Sequence, residues 1–171
     1  MYYNSPKEAI NKLYGIPENE LIKLRKKWGL ENDGIFAYKD RIFKISSSRK
    51  EFFAAQRLIG KEFKNVVKVF SCKECQILSY YETVCWAYVI EEERLHRNGK
   101  EYLYDSLDIG MIADDIDKRM PYMIAVMNGI IELSKAGIKH CDLHCANIMM
   151  DKKGNPKIID FGIVSLKKII I

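Results

Sequence analysis

Apolar residues along this chain recur in blocks, some at helical and some at strand spacing, with polar or conformationally special residues between them. Ser5-Pro6-Lys7-Glu8 has the form of a helix start. Ser5 can cap, Pro6 sits where its missing N–H costs nothing, and Glu8 can close a capping box. That helix is predicted to run to about Tyr14, where Gly15 ends it. Residues 16–20 open a second predicted helix, whose stripe is Leu21, Leu24 and Trp28 and whose polar flank is Lys23, Arg25, Lys26 and Lys27. From Gly34 the period shortens to two, predicting strands over residues 34–39 and 41–46 around a turn at Asp40. Ser46 to Ser48 lead into a third helix with Phe52, Ala55, Leu58 and Ile59 on its apolar face. Residues 66–70 and 84–90 read as the remaining strands of an antiparallel sheet, joined through residues 72–83.

The second half of the chain is plainer. Residues 96–119 are polar and broken by Gly99 and Gly110, which leaves a loop and a short helix near residues 107–116. From Pro121 the apolar positions Met123, Ile124, Val126, Met127, Ile130, Ile131 and Leu133 cover so much of a helical circumference that this helix is expected to be largely buried, up to Gly137. Ile148, Met149 and Met150, then Ile158 and Ile159, read as two short strands. The polar run from Lys152 to Pro156 turns one back on the other.

Composition bounds the class without naming it. A chain of 171 residues with 48% hydrophobic residues has enough apolar material for one domain or two small lobes, and 30% charged residues with mean hydropathy −0.20 describe a water-compatible surface. The first residues lack the basic start and apolar run of a secretion signal, and Ile169 to Ile171 are too few to span a bilayer, so a cytoplasmic protein without a membrane partner is expected. Five cysteines and no export signal argue for reduced thiols. Cys72 and Cys75 have C-x-x-C spacing, but a closed zinc site needs two further ligands. The formal charge of +5 favours anionic ligands such as nucleotides. Two short N-terminal helices with a basic run also admit a helix-turn-helix reading; no base-reading set of side chains stands out, so a nucleic-acid partner is not expected.

The chemistry is concentrated in residues 138–162. Asp142 and Asp160 flank the amide of Asn147, and the two short strands bring all three to one rim. Magnesium takes oxygen ligands, usually one or two carboxylates plus substrate phosphates, so an acid and an amide on one rim suit it, and Asp142 remains as a base. His140-Cys141-Asp142-Leu143-His144-Cys145-Ala146-Asn147 and Asp160-Phe161-Gly162 resemble the H-x-D-L-x-x-x-N catalytic loop and the D-F-G metal loop of the protein-kinase-like superfamily. His144, where protein kinases typically carry Lys, is closer in style to the aminoglycoside and choline phosphotransferase branch and to small kinase-like proteins of bacteria and phages.

The resemblance implies an α+β, two-lobed protein-kinase-like fold: an antiparallel sheet with one helix in the N-lobe, and a truncated, mostly helical C-lobe. Its expected boundaries are an N-terminal helical extension over residues 1–30, an N-lobe over 31–92 and a C-lobe over 93–171. It implies ATP and Mg2+ as cofactors, with Asp142, Lys44 and Asn147 catalytic and Asn147 and Asp160 on the metal. Lys44, Glu51, Gly34, Glu92 and Asp160 would hold the nucleotide. Lys44 follows Ile42-Phe43 as the ATP-binding lysine does, with Lys39 as a rival; Glu51 is the candidate ion-pair partner, ahead of Glu62. The backbone near Glu91-Glu92-Glu93 falls where kinases bind the adenine edge. The glycine loop departs from the family's G-x-G-x-x-G, since only Gly29 and Gly34 flank Leu30-Glu31-Asn32-Asp33. His140 is expected to be a structural contact under the metal loop, and His144 to orient the catalytic loop or, when protonated, to meet the phosphoryl group.

The expected activity is phosphotransfer from ATP to a hydroxyl group, on a Ser or Thr of a partner or of the chain itself. The acceptor protein or activating partner is unknown. The alternatives are a nucleotide-binding pseudokinase or scaffold, and, behind it, a DNA-binding regulator built on the first two helices.

Overall fold

The computed structural model describes residues 2–24, 34–78, 82–95, 97–98 and 116–167, which fall into two compact units. The first unit comprises Met1–Gly60 and Val69–Arg94; the second comprises Lys61–Lys68 and Leu95–Ile171. The stretch Lys61–Lys68, expected within the N-lobe, packs with the second unit.

The first unit is a five-stranded antiparallel sheet in the order β1-β2-β3-β5-β4, with β1 Ile22–Leu24, β2 Ile35–Tyr38, β3 Arg41–Ser46, β4 Val69–Leu78 and β5 Val84–Glu93. Helix α1, Pro6–Tyr14, starts as its sequence predicts: the Ser5 hydroxyl accepts the Glu8 N–H at 3.1 Å, and the Glu8 carboxylate accepts the Asn4 N–H at 2.7 Å. It ends at Gly15, whose φ of 71° lets its N–H reach the Asn11 carbonyl. Ala9 and Ile10 of α1 are fully buried against Phe36, Phe43, Ile45, Cys75, Ile77 and Val89, so the helix closes one face of the sheet. Helix α2, Arg49–Leu58, packs with β3, β4 and β5 and stacks Phe52 on Tyr88 at 4.6 Å.

Three expectations are corrected here. Residues 17–24 do not form a second helix: a 3-10 turn covers Glu18–Glu20, and Ile22–Leu24 is an edge strand on β2. The stripe of Leu21 and Leu24 fits a helix locally, but the backbone groups find their partners across the sheet instead. With that helix gone, the helix-turn-helix alternative loses its geometry; Arg25, Lys26, Lys27 and Trp28 lie outside the described residues. The strand expected at residues 66–70 begins instead at Val69 and continues through the supposed joining segment to Leu78. Cys72 and Cys75 are therefore three apart on one strand and project to opposite faces, which does not suit a shared metal ion. Burial pushes each thiol up to about 11, so both stay protonated at neutral pH. Finally, the strand expected over residues 84–90 runs on to Glu93; within it Glu91 finds a cation in Arg41 at 3.4 Å and a hydroxyl in Ser71 at 2.8 Å.

The second unit is built around helix α3, Ile116–Lys135, with short strands β6 Arg97–Asn98, β7 Ile138–His140, β8 Ile148–Met150, β9 Pro156–Ile158 and β10 Val164–Leu166. Strands β6, β8 and β9 form one small sheet, and β7 pairs with β10. The expectation of a largely buried α3 is also corrected. Leu133 is 1% exposed, but Ile124 and Met127 are 53% and 60% exposed, with Met120, Ile130 and Ile131 likewise open. The covered side is a stripe that meets β7 and β9 and includes Val126 and Tyr122, packed on Cys145 and Ile148. A wide apolar circumference shows what a helix can bury, not what its neighbours cover. Among the described residues no helix is long and apolar enough to cross a membrane.

Residues 61–68 are fastened into this unit by polar bonds. The Glu132 carboxylate accepts the N–H groups of Lys64 and Asn65, each at 2.9 Å, and the Asn65 side chain donates to the Pro156 carbonyl at 3.0 Å. The Ile158 N–H donates to the Asn65 carbonyl, and its own carbonyl accepts from Val67. Gly129 of α3 makes this contact possible: a β-carbon there would lie 2.7 Å from the Asn65 carbonyl oxygen and 2.8 Å from Cδ1 of Ile158. Alanine is otherwise favoured over glycine in a helix by about 1 kcal/mol. Overpacking outweighs this, because the oxygen it strikes is held by the Ile158 N–H; Gly129→Ala is expected to lower stability by roughly 1–3 kcal/mol in urea denaturation. An unchanged or raised midpoint would contradict that packing.

Candidate functional site

In the first unit, alternation along β3 places Lys44 and Ser46 on the same face, and the helix start at Ser48 brings Glu51 back toward them. Lys44 is 5% exposed and Glu51 1% exposed, and the ammonium binds Oε1 of the carboxylate directly. Ser46, itself buried, donates to Oε2 of Glu51 at 2.5 Å. The rival candidates lie elsewhere. Lys39 occupies the turn with φ 51° and leans over the Tyr38 ring, and Glu62 pairs with Lys68 at 2.6 Å on the surface.

Gly34 precedes β2, and a β-carbon on it would come within 2.5 Å of the Phe36 ring and 2.9 Å of Ile45. Its glycine character thus has a packing reason; Gly29 and residues 30–33 of the candidate phosphate loop lie outside the described residues. Glu92 sits within β5, opposite Ile42 on one side and Val69 on the other, 9% exposed.

In the second unit, residues 138–162 fold as strand, loop, 3-10 turn and hairpin. The His140 ring is fixed from two sides: the Asp142 N–H points at Nδ1 at 3.3 Å, which puts the ring proton on Nε2, 3.0 Å from the Ile159 carbonyl. The ring meets buried Phe161 edge-on, with ring centroids 5.8 Å apart. His140 therefore ties the loop holding Asp142 to the segment leading into Asp160.

Asn147 ends a 3-10 turn over Cys145–Asn147 that His144 caps, its Nδ1 receiving the Ala146 N–H at 3.3 Å. The Asn147 side chain is 8% exposed, and its Nδ2 donates to the Asp142 carbonyl at 2.8 Å. Its backbone carbonyl accepts the Ile159 N–H at 2.9 Å. One residue thus holds both the acid before it and the strand that delivers the acid after it. Asp160 takes a left-handed φ of 63°, uncommon for a residue with a β-carbon, and its Oδ1 faces the Gly162 N–H at 3.4 Å. The Asp142 carboxylate is about half exposed, with Nε2 of His144 3.7 Å from it.

The donor set suits magnesium. Nδ2 of Asn147 is committed inward, so Oδ1 is left to face a cation, and Asp160 adds a carboxylate. Among the described residues no three His, Cys, Asp or Glu side chains gather into a metal cluster. An acid and an amide alone match an ion that completes its shell with water and phosphate oxygens rather than a closed protein cage.

Of the expected site residues, Lys44 joins Glu51, and Asp142 joins Asn147 and the segment before Asp160. Ser46 was not singled out by the sequence reading. The signal available for it was its two-residue offset from Lys44.

Comparison with known proteins gives a consistent picture. The family described as Protein kinase domain matches residues 30–168. A G-type lectin S-receptor-like serine/threonine-protein kinase of Arabidopsis thaliana is 29% identical over 133 residues, covering 72% of this chain and 15% of the relative. Serine/threonine-protein kinase mos of Nycticorax nycticorax is 28% identical over 127 residues, covering 68% of this chain and 62% of the relative. A dual serine/threonine and tyrosine protein kinase of Gallus gallus is 36% identical over 70 residues, 41% of this chain and 7% of the relative. The chain thus spans less than two thirds of the length of these relatives. They are protein kinases, and lend no support to the aminoglycoside and choline phosphotransferase branch that His144 suggested, or to the bacterial and phage proteins.

Proposed function

Because the chain belongs to the protein kinase domain family, matched over residues 30–168, we propose that it is an ATP- and magnesium-dependent kinase that transfers the γ-phosphoryl group to a Ser or Thr hydroxyl of a protein or of the chain itself. The observation that carries this reading is the double hold of Asn147, by side chain on the Asp142 carbonyl and by backbone on the Ile159 N–H, which ties the loop of Asp142 to the segment leading into Asp160.

In the first unit, Lys44 is the group for the α- and β-phosphates, with Glu51 directing its ammonium. In the second unit, Oδ1 of Asn147 and the Asp160 carboxylate would hold Mg2+, which when bound neutralises charge on the phosphate oxygens. Asp142, with its carboxylate open to solvent, accepts a hydrogen bond from the incoming hydroxyl and orients it. That suffices because phosphoryl transfer passes through a loose transition state, and its rate depends mainly on positioning and charge neutralisation. His144 shapes the turn that carries Asn147.

The test is incubation with γ-labelled ATP and magnesium, alone and with a generic Ser/Thr-rich acceptor protein. Label on a hydroxyl amino acid, lost when EDTA removes magnesium, is the expected result. Magnesium-dependent stabilisation by ATP with no transfer to any acceptor would favour a nucleotide-binding pseudokinase or scaffold, a reading supported by the packing role of Gly34 in a loop poor in glycine. Absence of both signals would overturn nucleotide use altogether.

A further inference from the structure

The Glu51 carboxylate has two oxygens, and only one of them is on Lys44. The other lies 2.5 Å from the Ser46 hydroxyl, which also receives the Ser48 N–H at 3.1 Å. Since that N–H can only donate, the Ser46 oxygen is its acceptor and the Ser46 proton goes to Glu51. The Ser48 hydroxyl in turn accepts the Glu51 N–H at 3.3 Å, as the cap of α2. Glu51 is therefore gripped through its backbone by the helix cap and through its carboxylate by the strand that carries Lys44.

We propose that Ser46 is a positioning residue for the nucleotide phosphates: by holding one oxygen of Glu51, it keeps the other on Lys44 and so fixes where the ammonium points. A carboxylate tethered by one bond can swing about its last torsion. With both oxygens bonded, in a setting where Ser46 and Glu51 are each 1% exposed, that rotation costs a buried hydrogen bond. The tether also comes from β3 itself, so the geometry of the ion pair does not depend on the helix alone. This inference rests on the reading of Lys44 as a phosphate-binding group.

The experiment compares wild type, Ser46→Ala and Ser46→Thr by calorimetric titration with Mg·ATP and, separately, with adenosine, which has no phosphates to offer Lys44. Ser46→Ala is expected to weaken Mg·ATP binding roughly five- to tenfold, to leave adenosine binding unchanged, and to be largely rescued by the threonine hydroxyl. Equal weakening of both ligands, or of neither, would overturn the role. Mass-spectrometric mapping of lysine acylation supplies a readout that needs no nucleotide. Lys44 should label several-fold faster in Ser46→Ala, while Lys157, buried in the second unit, serves as the control for general loosening. If wild type binds no Mg·ATP, the functional reading fails, and the labelling result still decides the clamp: unchanged Lys44 protection sinks it.

Discussion

Asp142→Asn is expected to lower the rate of phosphoryl transfer by about 10²–10⁴-fold, the usual range for loss of a positioned acid–base group. The substitution is close to isosteric, and the backbone carbonyl of residue 142 still accepts from Asn147, so the metal-facing amide should stay where it is. Mg·ATP affinity is accordingly expected to change little. Label transfer and calorimetry on the same preparation separate the two effects. A variant that transfers at the wild-type rate would remove Asp142 from the mechanism, whereas one that fails to bind Mg·ATP would show that its carboxylate serves the metal site.

The second large effect is on stability. Lys44→Met removes the cation from a carboxylate that is 1% exposed, and such a change typically costs about 3–5 kcal/mol because it leaves the partner charge buried with no opposite charge, only the Ser46 hydroxyl, against it. Lys44→Met combined with Glu51→Leu should recover most of that loss, since exchanging both charges for apolar side chains is often nearly neutral. Urea denaturation of the two single variants and the double variant tests this. If the double variant is as unstable as the sum of the singles, the pair is not an energetic unit. Lys44→Met and the double variant should both fail to transfer label, so stability and activity would part company in the double variant.

What the sequence disclosed and what it hid follow from how local each signal is. Helix α1 was legible because Ser5, Pro6, Glu8 and Gly15 are all within one short stretch and each acts on its neighbours. The hairpin between Asn147 and Asp160 was legible because a tight turn, Asp151 to Asn155, links the two short strands that follow the one and precede the other. Strand β1 was not, because Ile22–Leu24 becomes a strand only by pairing with β2, some ten residues on. The full length of β4 was hidden for a similar reason: Lys73 and Glu74 look like a turn until β5 lies beside them. The openness of α3 could not be read from its own residues, since burial belongs to the neighbours. Ser46 carries no motif, and its importance appears only once Glu51 is in place.

The connectivity has a practical side. Residues 61–68 leave the first unit after Gly60 and return at Val69, and in between Val66 and Val67 lean on Ile158, far along the chain. Neither unit is a continuous stretch of polypeptide. A fragment ending at Arg94 would carry two valines, normally 0% and 3% exposed, with no surface to lie on, and would be prone to self-association. During synthesis the same pair must wait for about ninety further residues before its resting place exists, a long-range closure of the kind that slows folding. Attempts to obtain the lysine-bearing half of this protein by itself should therefore replace or remove residues 61–68 rather than simply cut the chain after the sheet.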